Sequence, residues 1–431
     1  MKSRLAYGRG YLEVEVPPGT AVLRQRPVRP TPDPHGAVAR ALANPLGTPR
    51  LSDLARGRER ACVVVSDITR PVPYRVLLPP LLECLDGLVG EVVILVATGT
   101  HRPTTPEEKL EMFGQEVVAR YRIVDHDSRD PSQLVALGRR TSRGSEVRVN
   151  RLYVESDLKI LTGLVEPHFM AGYSGGRKAI LPGLADLRAV QQFHGPRLLE
   201  DPRAASGILE GNPCHEEASE VARLVGADFS LNVVLDRERR LVAVFAGDLE
   251  AAFEAAVARV ESYCRARLGE PADIVVTSAG GYPLDKTFYQ SVKGMVAALP
   301  VVREGGVVIV ASECSEGIGN PEYADLMFAY EGRWQRFLDD ILARDEVVQD
   351  QWEFEMQCKV LRQVGVEGLV VCTDGIPRGT LRRLSVTPGA ESGEAEPARQ
   401  VQASLEAALE RRLGAKVAVL PEGPYVLAEL A

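Results

Sequence analysis

The chain contains no Cys-x-x-Cys pair, and its seven cysteines, from Cys62 to Cys372, are dispersed. This excludes a disulfide framework and a cysteine-rich structural zinc site, and it reads as reduced thiols filling core or surface in a cytoplasmic protein. No apolar run approaches the length of a membrane span, and Met1 to Gly10 lacks the apolar segment of a signal peptide. A cytoplasmic location without membrane contact is expected. No Lys/Arg stripe stands out, and the formal charge of −8 argues against a nucleic-acid surface, though a small anionic substrate remains compatible. No internal repeat is visible. No Gly-x-Gly-x-x-Gly follows a strand-like run, so the dinucleotide fingerprint is missing. His-x-x-x-His and His-Glu-x-x-His, the spacings that would support zinc, are missing too. What is present is ordinary globular composition, 45% apolar and 26% charged over 431 residues. That length exceeds one hydrophobic core, so two domains are expected.

Short, continuously apolar runs mark strands buried on both faces. Ala61–Val65 ends in Ser66-Asp-Ile-Thr-Arg, and Glu91–Ala97 ends in Thr98-Gly-Thr-His-Arg. Leu158–Val165 ends in Glu166-Pro-His. Helices are predicted at about 74–88, from Thr105-Pro-Glu-Glu onward, at 208–226 and at 251–268. Residues 11–16 alternate like a half-buried strand, and 229–235 with 241–245 read as a strand pair. Gly269-Glu-Pro-Ala marks a boundary, after which strands at 274–277, 306–311 and 369–373 and a helix at 291–299 form a second α/β unit. Residues 388–398 read as an exposed loop before a final helix at 399–413. The expected fold is therefore α/β, with two domains, 1–268 and 269–431, mainly parallel sheets and an active-site cleft between the domains. The last helix is allowed to pack back on the first domain. Ligands of such sheets bind at the carboxyl ends of strands, so the strand-end loops are expected to converge.

The densest chemistry lies in Glu166-Pro-His-Phe-Met-Ala-Gly-Tyr-Ser-Gly-Gly-Arg-Lys178, followed by His194. Ser174, Gly175 and Gly176 suggest a turn whose backbone N–H groups cradle an anion. Lys178 adds a charge or a nucleophilic amine. The stretch resembles a phosphate-binding loop of nucleotide hydrolases only superficially. Arg177 replaces its second glycine and Ala179 its magnesium-binding hydroxyl. Of six histidines, His101, His168 and His194 lie in or just after strand-end loops, whereas His35, His126 and His215 read as surface residues. The grouped three suggest either zinc ligation or acid–base work. Asp67 and Arg70 suggest a guanidinium gripping a carboxylate, with Asp67 orienting it; the plainer alternative is a helix cap beside a surface arginine. Tyr289, Gln290 and Lys293 open a helix, with Tyr289 and Lys293 on one face.

Asp67-x-Thr-Arg-Pro, Ala97-Thr-Gly-Thr-His101, Glu166-Pro-His168, Ser174-Gly-Gly-Arg-Lys178, His194, Gly211-Asn-Pro and Gly281-Tyr-Pro-Leu-Asp…Tyr289-Gln-Ser-Val-Lys293 together resemble the lactate racemase family, over nearly the whole chain and in order. The resemblance implies a 2-hydroxy acid racemase or epimerase carrying a nickel-pincer nucleotide, made by separate cofactor-synthesis enzymes. It implies that Lys178 is the covalent attachment point, that His194 ligates nickel, and that Ser174, Gly175 and Gly176 hold the cofactor phosphate. His101 and His168 become the acid–base pair, and Asp67, Arg70, Tyr289, Gln290, Lys293 and Trp352 shape the pocket for a small anionic substrate. Inversion would proceed by reversible hydride transfer from Cα. Each histidine must be neutral to act as a base, so activity is expected to fall at acid pH. A zinc-dependent hydrolase and a cofactor-binding protein without turnover stand as alternatives.

Overall fold

A computed structural model describes residues 1–390 and 396–431. The chain divides into two compact units. One comprises Pro27–His194 and Asp201–Tyr263; the other comprises Met1–Arg26, Gly195–Glu200 and Cys264–Ala431.

The first unit is built on a six-stranded sheet in the order Leu241–Gly247, Phe229–Leu235, Leu158–Leu164, Arg58–Ser66, Val89–Ala97, Arg122–Asp125. All neighbours are parallel except the first pair. The apolar runs take the central positions because only there can both strand faces be covered, and Ala61 to Val65 are completely buried. Val63, Val65 and Ile94 pack with Leu77, Leu81 and Leu231 in one core. Each such side chain contributes about 1.5–3 kcal/mol on burial. Helix Pro106–Phe113 starts where its capping signal lies. Thr105 accepts from the Glu108 N–H while the Glu108 side chain accepts from the Thr105 N–H.

The second unit has an all-parallel sheet in the order Thr387–Pro388, Leu369–Cys372, Val302–Ala311, Ala272–Ser278, Val417–Leu420, Ala21–Val22. The hairpin Lys2–Tyr7/Gly10–Glu15 turns Leu5, Val14 and Val16 into this unit's core beside Ile274, Ile309, Val401 and Leu405. The first 26 residues therefore belong with the C-terminal sheet, whereas the sequence reading grouped them with 27–268.

Several local expectations shift. The helix expected to reach 268 ends at Cys264, and Arg265–Leu268 instead pairs in parallel with Leu427–Leu430. The helix expected from 208 starts at Pro213, where the Asn212 side chain accepts from the N–H groups of Cys214 and His215. The last helix, Pro397–Arg411, packs on the sheet of its own unit. The loop expected at 388–398 lies partly outside the described residues. No described helix is long and apolar enough to cross a membrane.

Candidate active site

In the first unit, the strands ending at Ser66, Ala97 and Leu164 are neighbours and parallel, so their following loops emerge side by side. Asp67 leaves the middle strand and is 6% exposed. Its Oδ2 lies 2.6 Å from His101 Nδ1. Its Oδ1 accepts from the Thr69 hydroxyl at 2.6 Å and the Thr69 N–H at 3.1 Å. Burial alone would raise this carboxyl's pKa, but the hydrogen bond and charge of His101, with Thr69 and Arg70, hold it below the usual range. Asp67 thus orients His101 rather than Arg70. The carboxylate beside Arg70 is that of Glu166, at 4.0 Å.

The two histidines of the expected pair are held in opposite ways. A carboxylate can only accept, so in neutral His101 the proton sits on Nδ1 and Nε2 presents a lone pair. His168, beyond the strand end on the other side of the one that carries Asp67, receives the N–H groups of Met170 and Ala171 on its Nδ1, each at 3.3 Å. In neutral His168 the proton consequently sits on Nε2. In their neutral forms the two rings therefore present opposite groups at Nε2, a lone pair on His101 and an N–H on His168.

His194 follows helix Leu187–Phe193, and its Nδ1 donates to the Val190 carbonyl at 2.9 Å. Burial first, then the charge of Lys178, pushes its pKa down to about 3. It is therefore neutral, with its lone pair on Nε2 and its other nitrogen tied to a carbonyl, the state required of a metal-ligating histidine. Lys178 Nζ lies 5.3 Å from the Phe193 ring centroid, on the same helix end. Among the described residues, no three of His, Cys, Asp or Glu gather to hold a metal ion. A three-ligand zinc site therefore has no support, whereas a nickel nucleotide that supplies its own donors and needs one imidazole fits these residues.

The glycine turn is tightly packed as well as rich in N–H groups. The Ser174 hydroxyl donates to the Leu164 carbonyl at 2.7 Å and accepts from the Glu166 N–H at 3.1 Å. The Gly176 N–H donates to Asn232 Oδ1 at 3.2 Å. A Cβ on Gly175, where φ is +78°, would lie 2.8 Å from Val165 Cγ2, and one on Gly176 would lie 3.0 Å from the Phe253 ring. Close packing of the loop against Val165 at the strand end and against Phe253 of helix Leu249–Cys264 leaves no room for a Cβ at either glycine. Arg177, 3% exposed, straps the loop from beneath. It donates to the carbonyls of Ala171 at 2.9 Å and Tyr173 at 3.1 Å and stacks 4.2 Å from the Phe253 ring centroid.

In the second unit, helix Phe288–Ala297 carries Tyr289, Gln290 and Lys293. Its first N–H groups are satisfied by the Gly317 and Ile318 carbonyls, and Thr287 caps Gln290. The Lys293 ammonium donates to Gln290 Oε1 at 2.5 Å. Trp352 Nε1–H donates to the Tyr289 oxygen at 2.8 Å, and the Tyr289 hydroxyl donates to Asp350 at 3.1 Å. The structure therefore brings together Asp67, Arg70, His101, His168, Ser174–Lys178 and His194 in one unit, and Tyr289, Gln290, Lys293 and Trp352 in the other.

Sequence reasoning missed Asn232, Asp350 and the strap role of Arg177; a lone Asn in an apolar strand was the only signal for the first. It also misplaced two histidines. His126 is 1% exposed and lies between the Ala185 carbonyl and the Asn150 amide. His215 is half-buried and stacks 6.2 Å from the Phe253 ring.

Comparison with known proteins completes the picture. A family model described as the lactate racemase N-terminal domain matches residues 7–207, and one described as the lactate racemase C-terminal domain matches 268–428. The lactate racemase of Thermoanaerobacterium thermosaccharolyticum is 39% identical over 375 residues, covering 83% of this chain and 84% of that protein. The lactate racemase of Lactiplantibacillus plantarum is 33% identical over 398 residues, covering 90% of each. The solved apoprotein structure of the T. thermosaccharolyticum lactate racemase superposes with a TM-score of 0.90 at 35% identity, covering 99% of this chain and all of that one. A crystal structure of a Thermotoga maritima protein shares the fold alone, with a TM-score of 0.69 at 19% identity, covering 93% of this chain and 99% of that one. Fold and kinship define an isomerase of mixed α/β architecture. The chain belongs to the lactate racemase family.

Proposed function

We propose that this chain racemises or epimerises a small 2-hydroxy acid, with lactate the first substrate to test. The observation that carries the reading is the opposed hydrogen bonding at Nδ1 of His101 and His168, on the strand ends either side of the one that carries Asp67. Inverting a carbon requires a group that takes the hydroxyl proton and one that gives it back. A Cα–H beside a carboxylate is too weak an acid for direct deprotonation at low cost, so loss of hydride is the easier route. When bound, the nickel-pincer nucleotide would supply the hydride-accepting centre. Lys178 would hold it covalently and His194 would ligate its metal through Nε2. His101 Nε2 takes the hydroxyl proton from one enantiomer, and His168 Nε2–H returns a proton to the other. Arg70 binds the carboxylate, and Tyr289, Gln290, Lys293 and Trp352 complete substrate recognition.

Two measurements test this. Intact mass of protein produced alongside the cofactor-synthesis enzymes should exceed the sequence mass, and the increment should vanish in Lys178→Ala. Racemisation in D₂O should retain the Cα hydrogen. Incorporation of solvent deuterium would reject hydride transfer. A mass adduct without any stereoinversion across a 2-hydroxy acid panel would favour a cofactor-binding protein that lacks turnover.

A further inference from the structure

Asn212, in Gly211-Asn-Pro, is completely buried, and both polar atoms of its side chain are engaged. Oδ1 accepts from the N–H groups of Cys214 at 2.9 Å and His215 at 3.2 Å, which caps helix Pro213–Val225. Aspartate or serine would cap that helix equally well. What asparagine adds is an NH₂, and its two protons go to the carbonyls of Met170 and Ile208, each at 2.9 Å. Met170 lies in the turn between the paired segments Pro167–His168 and Gly172–Tyr173. The loop carrying Asn212 is pressed against that turn. The Gly207 N–H donates to the Gly172 carbonyl at 3.0 Å, and a Cβ on Gly172 would lie 2.2 Å from the Ile208 oxygen.

In a trans peptide the C=O and the following N–H point in opposite directions from one rigid plane. The Met170 carbonyl and the Ala171 N–H share such a plane. Asn212 holds its carbonyl edge, and its N–H edge faces His168 Nδ1 at 3.3 Å, beside the Met170 N–H. The next carbonyl, that of Ala171, is held by Arg177 at 2.9 Å. We propose that Asn212 is a positioning residue for His168, fixing the Met170–Ala171 peptide so that its N–H, and not its carbonyl, faces the imidazole. Turned over, the same peptide would offer Nδ1 an acceptor, and the neutral ring would no longer be committed to a proton on Nε2. The inference rests on the reading that His168 exchanges a proton with the substrate.

Asn212→Ser keeps an acceptor for the helix cap and removes the contact with Met170. The first readout is long-range proton–nitrogen correlation on cofactor-free protein labelled with nitrogen-15 histidine, at mildly alkaline pH. His168 is assigned by the loss of its signals in His168→Gln. Wild type should give two well-separated ring-nitrogen signals, with the proton on Nε2. In Asn212→Ser the two should draw together as the tautomers exchange, while those of His126 stay in place. The second readout is racemisation by cofactor-loaded protein of equal occupancy. There kcat should fall about tenfold to a hundredfold and KM change less than about threefold. Thr141→Val removes a buried hydrogen bond to Glu217 on the same helix and is the control for destabilisation alone. It should lower the melting temperature and leave the His168 signals and kcat as in wild type. Asn212→Asp, which retains the shape and the cap without the donors, repeats the test should the serine variant not fold. A wild-type proton on Nδ1, unmoved His168 signals in a folded variant, or the same changes in Thr141→Val overturn the role of Asn212. If the signals converge and kcat holds, Asn212 positions His168 as proposed and the proton exchange by His168 fails instead.

Discussion

Replacing Asp67 by Asn isolates the proton on His101. The Thr69 N–H and hydroxyl both donate to Asp67 Oδ1, so that position must remain an oxygen in the variant. The new NH₂ then faces His101 Nδ1, where the carboxylate oxygen now sits at 2.6 Å. Two donors cannot pair, so the imidazole moves its proton to Nε2 and accepts at Nδ1. The ring keeps its place and loses its basic nitrogen. General acid–base catalysis contributes about 10²–10⁴-fold, so kcat should fall by that factor, about 2.7–5.5 kcal/mol in barrier. KM should change less than threefold, because Asp67 touches His101 and Thr69 rather than the residues assigned to the carboxylate. The assay is initial-rate racemisation of each lactate enantiomer by cofactor-loaded protein, with His101→Ala and the double variant alongside. Since the two residues act through one nitrogen, the double variant should be no slower than His101→Ala. A kcat for Asp67→Asn within threefold of wild type, or additive losses in the double variant, would refute the tautomer argument.

Other outcomes follow from the same packing. Gly175→Ala, at φ +78° with Val165 2.8 Å from the new Cβ, should lower the melting temperature of cofactor-free protein by several degrees, about 2–4 kcal/mol. A loss confined to cofactor loading would refute the packing argument and favour the phosphate cradle. His215, held to about 4 by burial first and then by Arg177 and Arg223, has a folded pKa below its unfolded value near 6.5. Stability is fully present above pH about 6.5 and declines as pH falls toward 4. The limit is about 3.4 kcal/mol, reduced to about 1–2 by the ring's partial exposure. Denaturation midpoints at pH 7.5 and 4.5 should therefore converge more in His215→Gln than in wild type; parallel pH dependences refute this. Arg177→Met should remove the strap on the Ala171 and Tyr173 carbonyls, lowering covalent cofactor occupancy measured by intact mass. Unchanged occupancy would make Arg177 a bystander.

What could be read from the chain alone was what local physics decides. Ala61–Val65 could only be a strand covered on both sides, and Thr105 with Glu108 could only start a helix. The strand-end histidines followed from those assignments. What escaped depended on partners far away in sequence. Arg265–Leu268 continues a good helical segment, and only pairing with Leu427–Leu430 draws it into a strand. Residues 11–16 show their alternation plainly, but nothing local says that Val14 and Val16 meet Val401 and Leu405. Asp350 escaped because its partner, the Tyr289 hydroxyl, lies far away in the chain. Asn232 escaped because a polar residue in a buried strand declares a partner without naming it.

The strand Ala21–Val22 hydrogen-bonds beside Val417–Leu420, almost at the opposite end of the chain. During synthesis from the amino terminus, the opening hairpin and this edge strand leave the ribosome first and their sheet leaves last. Leu5, Val14 and Val16 must therefore wait, uncovered, while the whole of the first unit is made. At ordinary elongation rates the delay lasts on the order of half a minute. Products truncated before Val417 would lack the strand that joins Ala21–Val22 to this sheet. Pairing of Ala21–Val22 with Val417–Leu420 thus ties the placement of one of the earliest strands to one of the latest.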